Sequence, residues 1–270
     1  GCACRGTAGF AHASCLAEQA KILVAEAEEN NLSDKVFHER WERWYSCSQC
    51  EQRYHGVVLG ALGWACWKTY VGRPEVDGAR QLAMTELSTG LHVVKRYEDA
   101  LNVQEAELSM RRRLGATNYN LLTVQANLAN TYLALSRFEE SLRMRRDVYS
   151  GRLKHLGEEH SQTISAAHNY ANSLVSLKRF EEAKTLLHKA MPVARRVLGA
   201  SHELTLRITW VYAAALCQAD GATLDDLREA VTTLEDTERI ARRVLGGAHP
   251  TAVRIEQALR AVRQRHEARK

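Results

Sequence analysis

The stretch NLANTYLALSRFEES, residues 127–141, recurs 42 positions later as NYANSLVSLKRFEEA, residues 169–183. Similarity at a fixed offset is typical of repeat proteins, in which each unit is one supersecondary element. Apolar residues within a unit recur at helical spacing, as at Leu128 and Tyr132, which favours helices over strands. Each unit is therefore predicted to be a helical hairpin.

A Leu-Gly pair extends the period over the last two thirds of the chain, with glycine spacings of 42, 42 and 47 residues. The longer last spacing predicts an insertion between Leu216 and Ala230, absorbed by the turn at residues 219–222. A hairpin cannot bury its apolar face alone, so neighbouring hairpins must stack. The paired glycines are Gly115, Gly157, Gly199 and Gly246, and the small residues expected to let helices approach are Ala129, Ala171 and Ala213.

Composition limits the class of protein. The 270 residues are 45% hydrophobic and include only 3 prolines, which favours an all-α fold with a buried core. The net charge of +5 is dispersed along the chain, without the concentrated basic stripe that nucleic acid requires. The apolar run at residues 57–67 is about half the length of a membrane span. A cytoplasmic protein is expected, without nucleic acid or a membrane span.

The repeats resemble tetratricopeptide repeats of the kinesin light chain subtype over about residues 79–269. That subtype has a Leu-Ala-x-x-Tyr first helix, an Arg-Phe-Glu-Glu turn and a Leu-Gly-x-x-His ending, and the fourth unit departs from it by lacking the turn. The resemblance implies a right-handed α-solenoid of four repeats. A capping helix is predicted from Pro250 to about Arg265.

Two asparagines on the first helix of one unit are matched 42 residues later. Asparagine offers both a donor and an acceptor, so such a ladder can bind the main chain of an extended peptide. In the kinesin light chain subtype, asparagines at these positions line the peptide groove; the alternative is that they face solvent or bond a neighbouring helix. The predicted peptide-binding residues are Asn127, Asn130, Asn169 and Asn172.

Two further repeated positions have structural explanations. His160, His202 and His249 lie on successive hairpins, too far apart for one metal ion, and are interpreted as residues at helix starts. Arg112, Lys154, Arg196 and Arg243 end the second helices, where positive charge complements the helix dipole. The alternative for this basic column is a site for an acidic ligand.

The first 50 residues contain closely spaced cysteines and a histidine, and such pairs suit zinc. Disulfides would not require the histidine. The alternative is a structural or decayed zinc knot that only caps the repeats. The predicted ligands are Cys2, Cys4, His12, Cys15, Cys47 and Cys50, whereas Cys66 and Cys217 lie in apolar contexts and are excluded.

This pattern resembles the RING-CH finger of many ubiquitin ligases in Cys4-Arg5-Gly6, in His12 with Cys15-Leu16, in Trp44 before Cys47, and in Tyr54 after Cys50. The family's cross-brace implies one zinc held by Cys2, Cys4, Cys47 and Cys50. Its first Cys-x-x-Cys pair is absent, so the sequence is expected to be incomplete at Gly1, and His12 and Cys15 lack their partners.

The predicted domains are a partial RING-CH-like finger at residues 1–55, a connecting helix and break at residues 56–78, and the repeats at residues 79–270. No phosphate-binding glycine loop or catalytic triad pattern is visible in the sequence. The predicted function is a scaffold whose groove binds a protein or peptide, joined to a zinc module. The alternative is a RING-type ubiquitin ligase that binds a ubiquitin-conjugating enzyme and selects substrates with its repeats.

Overall fold

The computed structural model describes residues 12–219 and 221–269, and within them the chain forms twelve α-helices and one short 3-10 helix at Glu42–Trp44. The described residues carry one isolated antiparallel bridge, Ser46 with Arg53, and no strand. The predicted all-α class is therefore confirmed for this part of the chain. The helices are α1 (Ala13–Glu29), α2 (Asp34–Trp41), α3 (Gly56–Tyr70), α4 (Gly78–Val93), α5 (Tyr97–Arg113), α6 (Asn118–Ala134), α7 (Phe138–Leu156), α8 (Ser161–Ser176), α9 (Phe180–Leu198), α10 (Glu203–Gln218), α11 (Leu224–Leu245) and α12 (Pro250–Glu267).

The chain divides into two compact units, residues 1–136 and residues 137–270. The division lies between α6 and α7, inside the predicted repeat domain. It does not coincide with residue 79, where the repeats were predicted to begin. Unit 1 contains the N-terminal helices together with α4, α5 and α6. Unit 2 contains α7 to α12.

An aromatic cluster forms part of the core of unit 1. The rings of Trp41 and Tyr70 lie 5.2 Å apart between centroids, and the rings of Trp44 and Tyr70 lie 6.1 Å apart. All three side chains are buried. The cluster therefore fixes α2 and the 3-10 helix against the end of α3.

Helices α3 and α4 approach each other closely because their contact is lined by glycine. A Cβ atom at Gly63 would lie 2.6 Å from the main-chain oxygen of Glu86, a distance that real side chains do not tolerate. Only glycine fits here without moving one helix away from the other.

In unit 2 each helix packs on the next, and the first helices α8, α10 and α12 also pack on their neighbours. Leu187, Leu227 and Leu234 are fully buried between these layers. Ala171 and Ala213 are likewise fully buried, as expected for small residues where helices approach. Burial of this apolar surface is the main favourable term in folding.

The same type of residue starts each first helix of unit 2. His160, His202 and His249 precede α8, α10 and α12, and the Nδ1 atom of each accepts the main-chain N–H two residues later at 3.2, 3.1 and 3.2 Å. Each ring satisfies one of the N–H groups that a helix start leaves without an intrahelical acceptor. The predicted role at helix starts is confirmed.

The second helices of unit 2 end at the repeated glycines. Gly157, Gly199 and Gly246 have φ values of 79°, 93° and 85°, a region that favours glycine. The basic column precedes these ends, and Lys154, Arg196 and Arg243 all lie in the last turn of their helices. This position supports the helix-dipole interpretation.

One detail differs from the sequence prediction. The insertion of the last unit is shared between loop and helix: the loop at residues 219–223 is two residues longer than the loop at residues 177–179, and α11 has 22 residues where α9 has 19. A capping box at Thr223 and Asp226 explains the early start of α11. Among the described residues, no helix is long and apolar enough to cross a membrane.

Candidate functional site

A groove of about 500 Å³ opens on the face of unit 2 that the first helices share. Helix α10 contributes Trp210, Val211 and Ala214 to its lining, and α12 contributes Ala258 and Ala261. Concave, mostly apolar surfaces with a few polar groups are the usual form of a binding site. The groove is therefore the candidate site of unit 2.

The repeat register explains which residues line the groove. The positions of Asn169 and Asn172 correspond to Val211 and Ala214 in the next unit, 42 residues later. A further 47 residues lead to Ala258 and Ala261 in α12. Asn172 and these four matched residues all line the groove. The repeat position that was predicted to contact a ligand therefore faces the groove in α8, α10 and α12.

The predicted Asn169 and Asn172 lie one turn apart on α8, and both are half-buried beside His168. Asn169 Oδ1 lies 3.3 Å from His168 Nδ1, and Asn172 Nδ2 lies 3.0 Å from His168 Nε2 and 3.5 Å from Nδ1. The Asn172 amide nitrogen therefore lies within 3.5 Å of both ring nitrogens. The imidazole contacts both asparagine side chains.

His168 is buried and carries a lowered pKa. Burial is the largest cause, the nearby charges of Arg207 and Arg145 act in the same direction, and the pKa falls to about 4. The ring is therefore neutral at physiological pH. The ring therefore contacts the two asparagine side chains without adding a positive charge beside them.

Arg145 is buried on α7 and faces α8. Its Nη1 donates to the main-chain oxygen of Asn169 at 2.8 Å and to Ser173 Oγ at 3.0 Å. Burial lowers the pKa of this guanidinium to about 10. Its charge and that of Arg207 both act on His168, whose pKa they lower.

Arg254 and Arg265 line the groove from α12. In the described part of the chain neither forms an ion pair, whereas Arg260 and Arg263 of the same helix pair with Glu256 and Glu235. No aspartate or glutamate is among the described residues that line the groove. The groove therefore combines an apolar floor with two guanidinium groups that lack an acidic partner.

The other two predicted asparagines belong to unit 1. Asn127 is half-buried and Asn130 is exposed, and both lie on α6. The structure therefore places one predicted pair in each unit. Their role as peptide-binding residues stays a prediction.

Cys47 and Cys50 lie in a tight turn of unit 1 that is closed by the Ser46 and Arg53 bridge. The Gln49 N–H donates to Cys47 Sγ at 3.4 Å, and the Glu51 N–H donates to the Cys47 oxygen at 3.0 Å. Glu51 has a φ of 58°, which turns the chain back after the second cysteine. One main-chain N–H is directed at the Cys47 sulfur, and the turn holds both cysteines in one short segment, as zinc ligands require.

The remaining predicted ligands are placed separately. His12 immediately precedes α1, and Cys15 is exposed in its first turn. Cys2 and Cys4 lie outside the described residues. Within residues 12–219 and 221–269, no three His, Cys, Asp or Glu side chains are grouped so that they could hold a metal ion. The zinc site with its six ligands therefore stays a prediction.

The excluded cysteines are buried as expected. Cys66 is fully buried and Cys217 nearly so, and burial raises the pKa of each thiol. Both therefore remain protonated and pack as small apolar groups.

Sequence reasoning missed Trp210, Arg254 and Arg265 as groove residues. The signal was present in the register, because Trp210 lies at the position of His168 and Arg254 at the position of Arg207. The residue types at the positions of Trp210 and Arg265 differ between units, so a search for identical repeated residues could not find these two. The pairing of the other α12 arginines also depends on side-chain contacts that the sequence does not reveal.

Comparison with known proteins identifies the repeats. Residues 121–162 and residues 162–223 each match a model of the tetratricopeptide repeat. No match was found among curated proteins. The sequence evidence for this repeat type thus covers the middle of the chain.

Several solved structures have a similar fold. BtubC (BKLC) from P. vanneervenii is 14% identical with a TM-score of 0.63, and the match covers 89% of this chain and 95% of that one. The nearly identical TPR-like repeats of a Podosopora anserina kinesin light chain are 19% identical with a TM-score of 0.56, covering 87% and 98%. A Rap protein complexed with competence and sporulation factor is 11% identical with a TM-score of 0.50, covering 96% and 72%. Residues 121–223 are therefore tetratricopeptide repeats, and the described chain has the all-helical fold of proteins built from them.

Proposed function

We propose that this protein is an interaction scaffold whose groove in unit 2 binds an extended segment of a partner protein. The observation that carries the proposal is that the repeat position of Asn172 lines the groove in α8, α10 and α12. Repeats of this type commonly present such a surface to a partner, and the structurally similar Rap protein is complexed with competence and sporulation factor.

The polar groups of the groove can form hydrogen bonds with the main chain of a bound peptide. The half-buried side chains of Asn169 and Asn172 each provide an amide that can donate and accept, and His168 beside them is neutral. An extended segment has unpaired N–H and C=O groups, whereas a helix has already satisfied its own. Asparagines at this position therefore favour an extended ligand.

A selection from a random peptide display library tests this function. The full chain is compared with Ala261→Tyr, which fills the groove at an exposed position, and with Gln264→Tyr, which adds the same ring on α12 outside the lining. We expect enriched peptides to bind the unchanged chain and Gln264→Tyr, and to lose at least about tenfold in affinity for Ala261→Tyr. Failure to enrich any peptide, or equal binding to all three proteins, would falsify the proposal.

We also propose a zinc site in which Cys47 and Cys50 act with Cys2 and Cys4. Its support is the turn at residues 47–50, where the Gln49 N–H donates to Cys47 Sγ. Zinc would connect this turn to the N-terminal segment. The ubiquitin-ligase alternative, with a ubiquitin-conjugating enzyme as its partner, stays a prediction from the resemblance.

Zinc content per chain, measured by elemental mass spectrometry, tests the metal site. About one zinc is expected in the unchanged chain and in Cys217→Ala, and none in the double variant Cys47→Ser with Cys50→Ser. Circular dichroism shows whether the helices of each protein remain folded. A folded, zinc-free chain, or zinc retained by the double variant, would exclude this ligand set.

A further inference from the structure

We propose that the exposed face of α3 is a self-association surface, on which the α3 helix of a second copy of this chain packs in the antiparallel orientation. The proposal concerns unit 1 alone and does not depend on the groove of unit 2. It adds a second interaction surface to the protein and names its partner.

Helix α3 exposes an apolar stripe. Val57 is 80% exposed, Trp64 39% and Val71 40%, and Ala61 between the first two is also exposed. The steps between these positions are four, three and seven residues, so they follow one face of the helix. The opposite face is buried, as at Cys66. A helix that is apolar on every side is normally covered on every side, so this face is expected to have a partner.

Helix α5 of the same unit shows what a solvated outer face contains. Its exposed side chains include Glu98, Glu105 and Arg112. Helix α3 has a single charged side chain, that of Lys68, between residues 56 and 70. Water therefore solvates the outer face of α5 well, whereas the outer face of α3 is stabilised by being covered.

The order of side-chain sizes along the stripe suits a second α3. Ala61 lies in the middle with Ala65 one turn further on, and small residues let two helices approach closely. Larger side chains lie on either side of Ala61, at Val57 and Trp64. When two α3 helices run antiparallel and cross at Ala61, Val57 of one copy lies opposite Trp64 of the other, and symmetry repeats the contact. The surface is therefore complementary to itself, as a two-fold interface requires.

Charge complementarity favours the antiparallel orientation. Lys68 lies near the end of α3 and Glu51 precedes its start; both are exposed, and neither forms an ion pair among the described residues. Arg53, the exposed cation closest in sequence to Glu51, lies over its own Tyr45 ring, 4.7 Å from the centroid. In the antiparallel pair Lys68 is level with the residues just before the other α3, so it meets Glu51 there. A parallel pair would instead bring the two Lys68 side chains together.

The size of the stripe sets the expected affinity. The exposed parts of Val57, Trp64 and Val71 amount to roughly 300 Å², well below the ~800 Å² that each partner buries in a standard interface. A weak complex is therefore expected, with a dissociation constant on the order of 10 μM. A membrane surface is the less favoured occupant, because helices that bind membrane surfaces are rich in Lys and Arg and α3 has only Lys68.

Sedimentation velocity of the full chain between about 1 and about 200 μM tests the proposal by mass action. The average mass is expected to rise from that of one chain towards that of two. Ala61→Arg and Trp64→Arg should each raise the dissociation constant at least about tenfold. Ile22→Arg is the matched control, because Ile22 is 50% exposed on α1 of the same unit, and it should associate like the unchanged chain. Circular dichroism shows whether each variant keeps its helices.

Exchanged charges identify the partner as a second copy. Lys68→Glu and Glu51→Lys should each weaken association about fivefold, because like charges then meet twice in every pair. An equimolar mixture of the two variants should associate more strongly than either variant alone, because both contacts of a mixed pair join opposite charges. A change in the fold of one chain cannot produce this result.

Three results would overturn the proposal: a chain that stays monomeric at the highest concentration, association that Ala61→Arg leaves intact, or a mixture no tighter than its components. A monomer that sediments with phosphatidylcholine and phosphatidylserine vesicles, and loses this in Trp64→Arg, would assign the face to a membrane surface instead. Association that appears only in Phe10→Glu would assign it to the chain's own first residues. Peptide binding in unit 2 is decided separately, by the library selection.

Discussion

Arg73 binds both carboxylate oxygens of Glu28: Nη1 lies 2.6 Å from Oε1, and Nη2 lies 2.8 Å from Oε2. The same guanidinium lies over the ring of Tyr70, 4.8 Å from its centroid. The loop that follows α3, which contains Gly72 and Pro74, is therefore held against the end of α1. A two-point contact of this kind depends on the planar fork of arginine.

This pair predicts a measurable coupling. Arg73→Lys keeps the charge but loses the fork, and Glu28→Gln removes the opposite charge. The two side chains are 34% and 31% exposed, so water weakens the pair, and we expect a coupling free energy of about 1 kcal/mol. Urea unfolding of both single variants and the double variant gives this value. Strictly additive effects would contradict the prediction.

Gly63→Ala should be strongly destabilising. The added Cβ would lie 2.6 Å from the main-chain oxygen of Glu86, so α3 and α4 must separate, at a cost of about 2 kcal/mol or more. Gly78→Ala is the control, because its Cβ would have no neighbour within 4 Å. Thermal unfolding compares the two variants. Equal melting temperatures would show that the helix contact is not tight.

Glu86 predicts an unusual dependence of stability on pH. Burial raises the pKa of this carboxyl to about 7 from an ordinary value of 4.5, and Arg53 and the Trp41 indole oppose the shift only in part. Because the folded pKa is raised, the stabilising contribution of the neutral form is complete below pH 4.5 and is lost as the pH rises through 7. Glu86→Gln should therefore be more stable than the unchanged chain at pH 8, by up to about 3 kcal/mol, and similar at pH 4.5.

Urea unfolding at several pH values measures this difference. Glu29→Gln is a matched control, since Glu29 is an exposed glutamate of the same unit. It should leave the pH dependence unchanged. If Glu86→Gln is less stable than the unchanged chain at pH 8, the carboxylate has a stabilising partner and the prediction is wrong.

His168 predicts the opposite trend in unit 2. Burial lowers its pKa to about 4 from 6.5, with the charges of Arg207 and Arg145 acting in the same direction. A depressed folded pKa means that its contribution is complete above pH 6.5 and is lost as the pH falls towards 4, about 3 kcal/mol in all. His168→Gln should remove this acid sensitivity, whereas His188→Gln at an exposed position should retain it. An unchanged slope of stability between pH 6.5 and 4 in His168→Gln would disprove this.

The histidine caps predict a selective effect of side-chain chemistry. His202 Nδ1 accepts the Leu204 N–H at 3.1 Å, so His202→Ala should cost about 1 kcal/mol. His202→Asn should retain most of the stability, because its side-chain oxygen can accept the same N–H. Guanidinium unfolding distinguishes the two variants. If asparagine and alanine behave alike, the cap contributes little.

The sequence predicted the parts of the fold that repeat. Period, apolar spacing and glycine positions identified the hairpins, and the histidines that follow the last three repeated glycines were correctly assigned to helix starts. These features depend on local main-chain geometry, which a short segment of sequence specifies. The division at residue 136 could not be predicted, because it depends on contacts summed over many residues.

The candidate site was predictable only in part. Asn172, which the repeat register selected, lines the groove, and its role in peptide binding stays a prediction. Trp210 and Arg265 do not repeat as residue types, whereas Arg254 matches Arg207. The significance of the two groove arginines comes from which other side chains pair with acids. The early start of α11 was also hidden, because the capping box at Thr223 replaces the turn used by the other units.

The unit between His160 and Gly199 contains its own start and stop signals. The histidine ring closes the beginning of α8, and the glycine ends α9. A duplicated repeat of this length would therefore carry its own helix-start and helix-end residues. It could fold wherever it was joined to a similar repeat. Arrays of this kind can lengthen or shorten by whole repeats, while single positions, such as the one held by His168 and Trp210, carry a different residue in each copy.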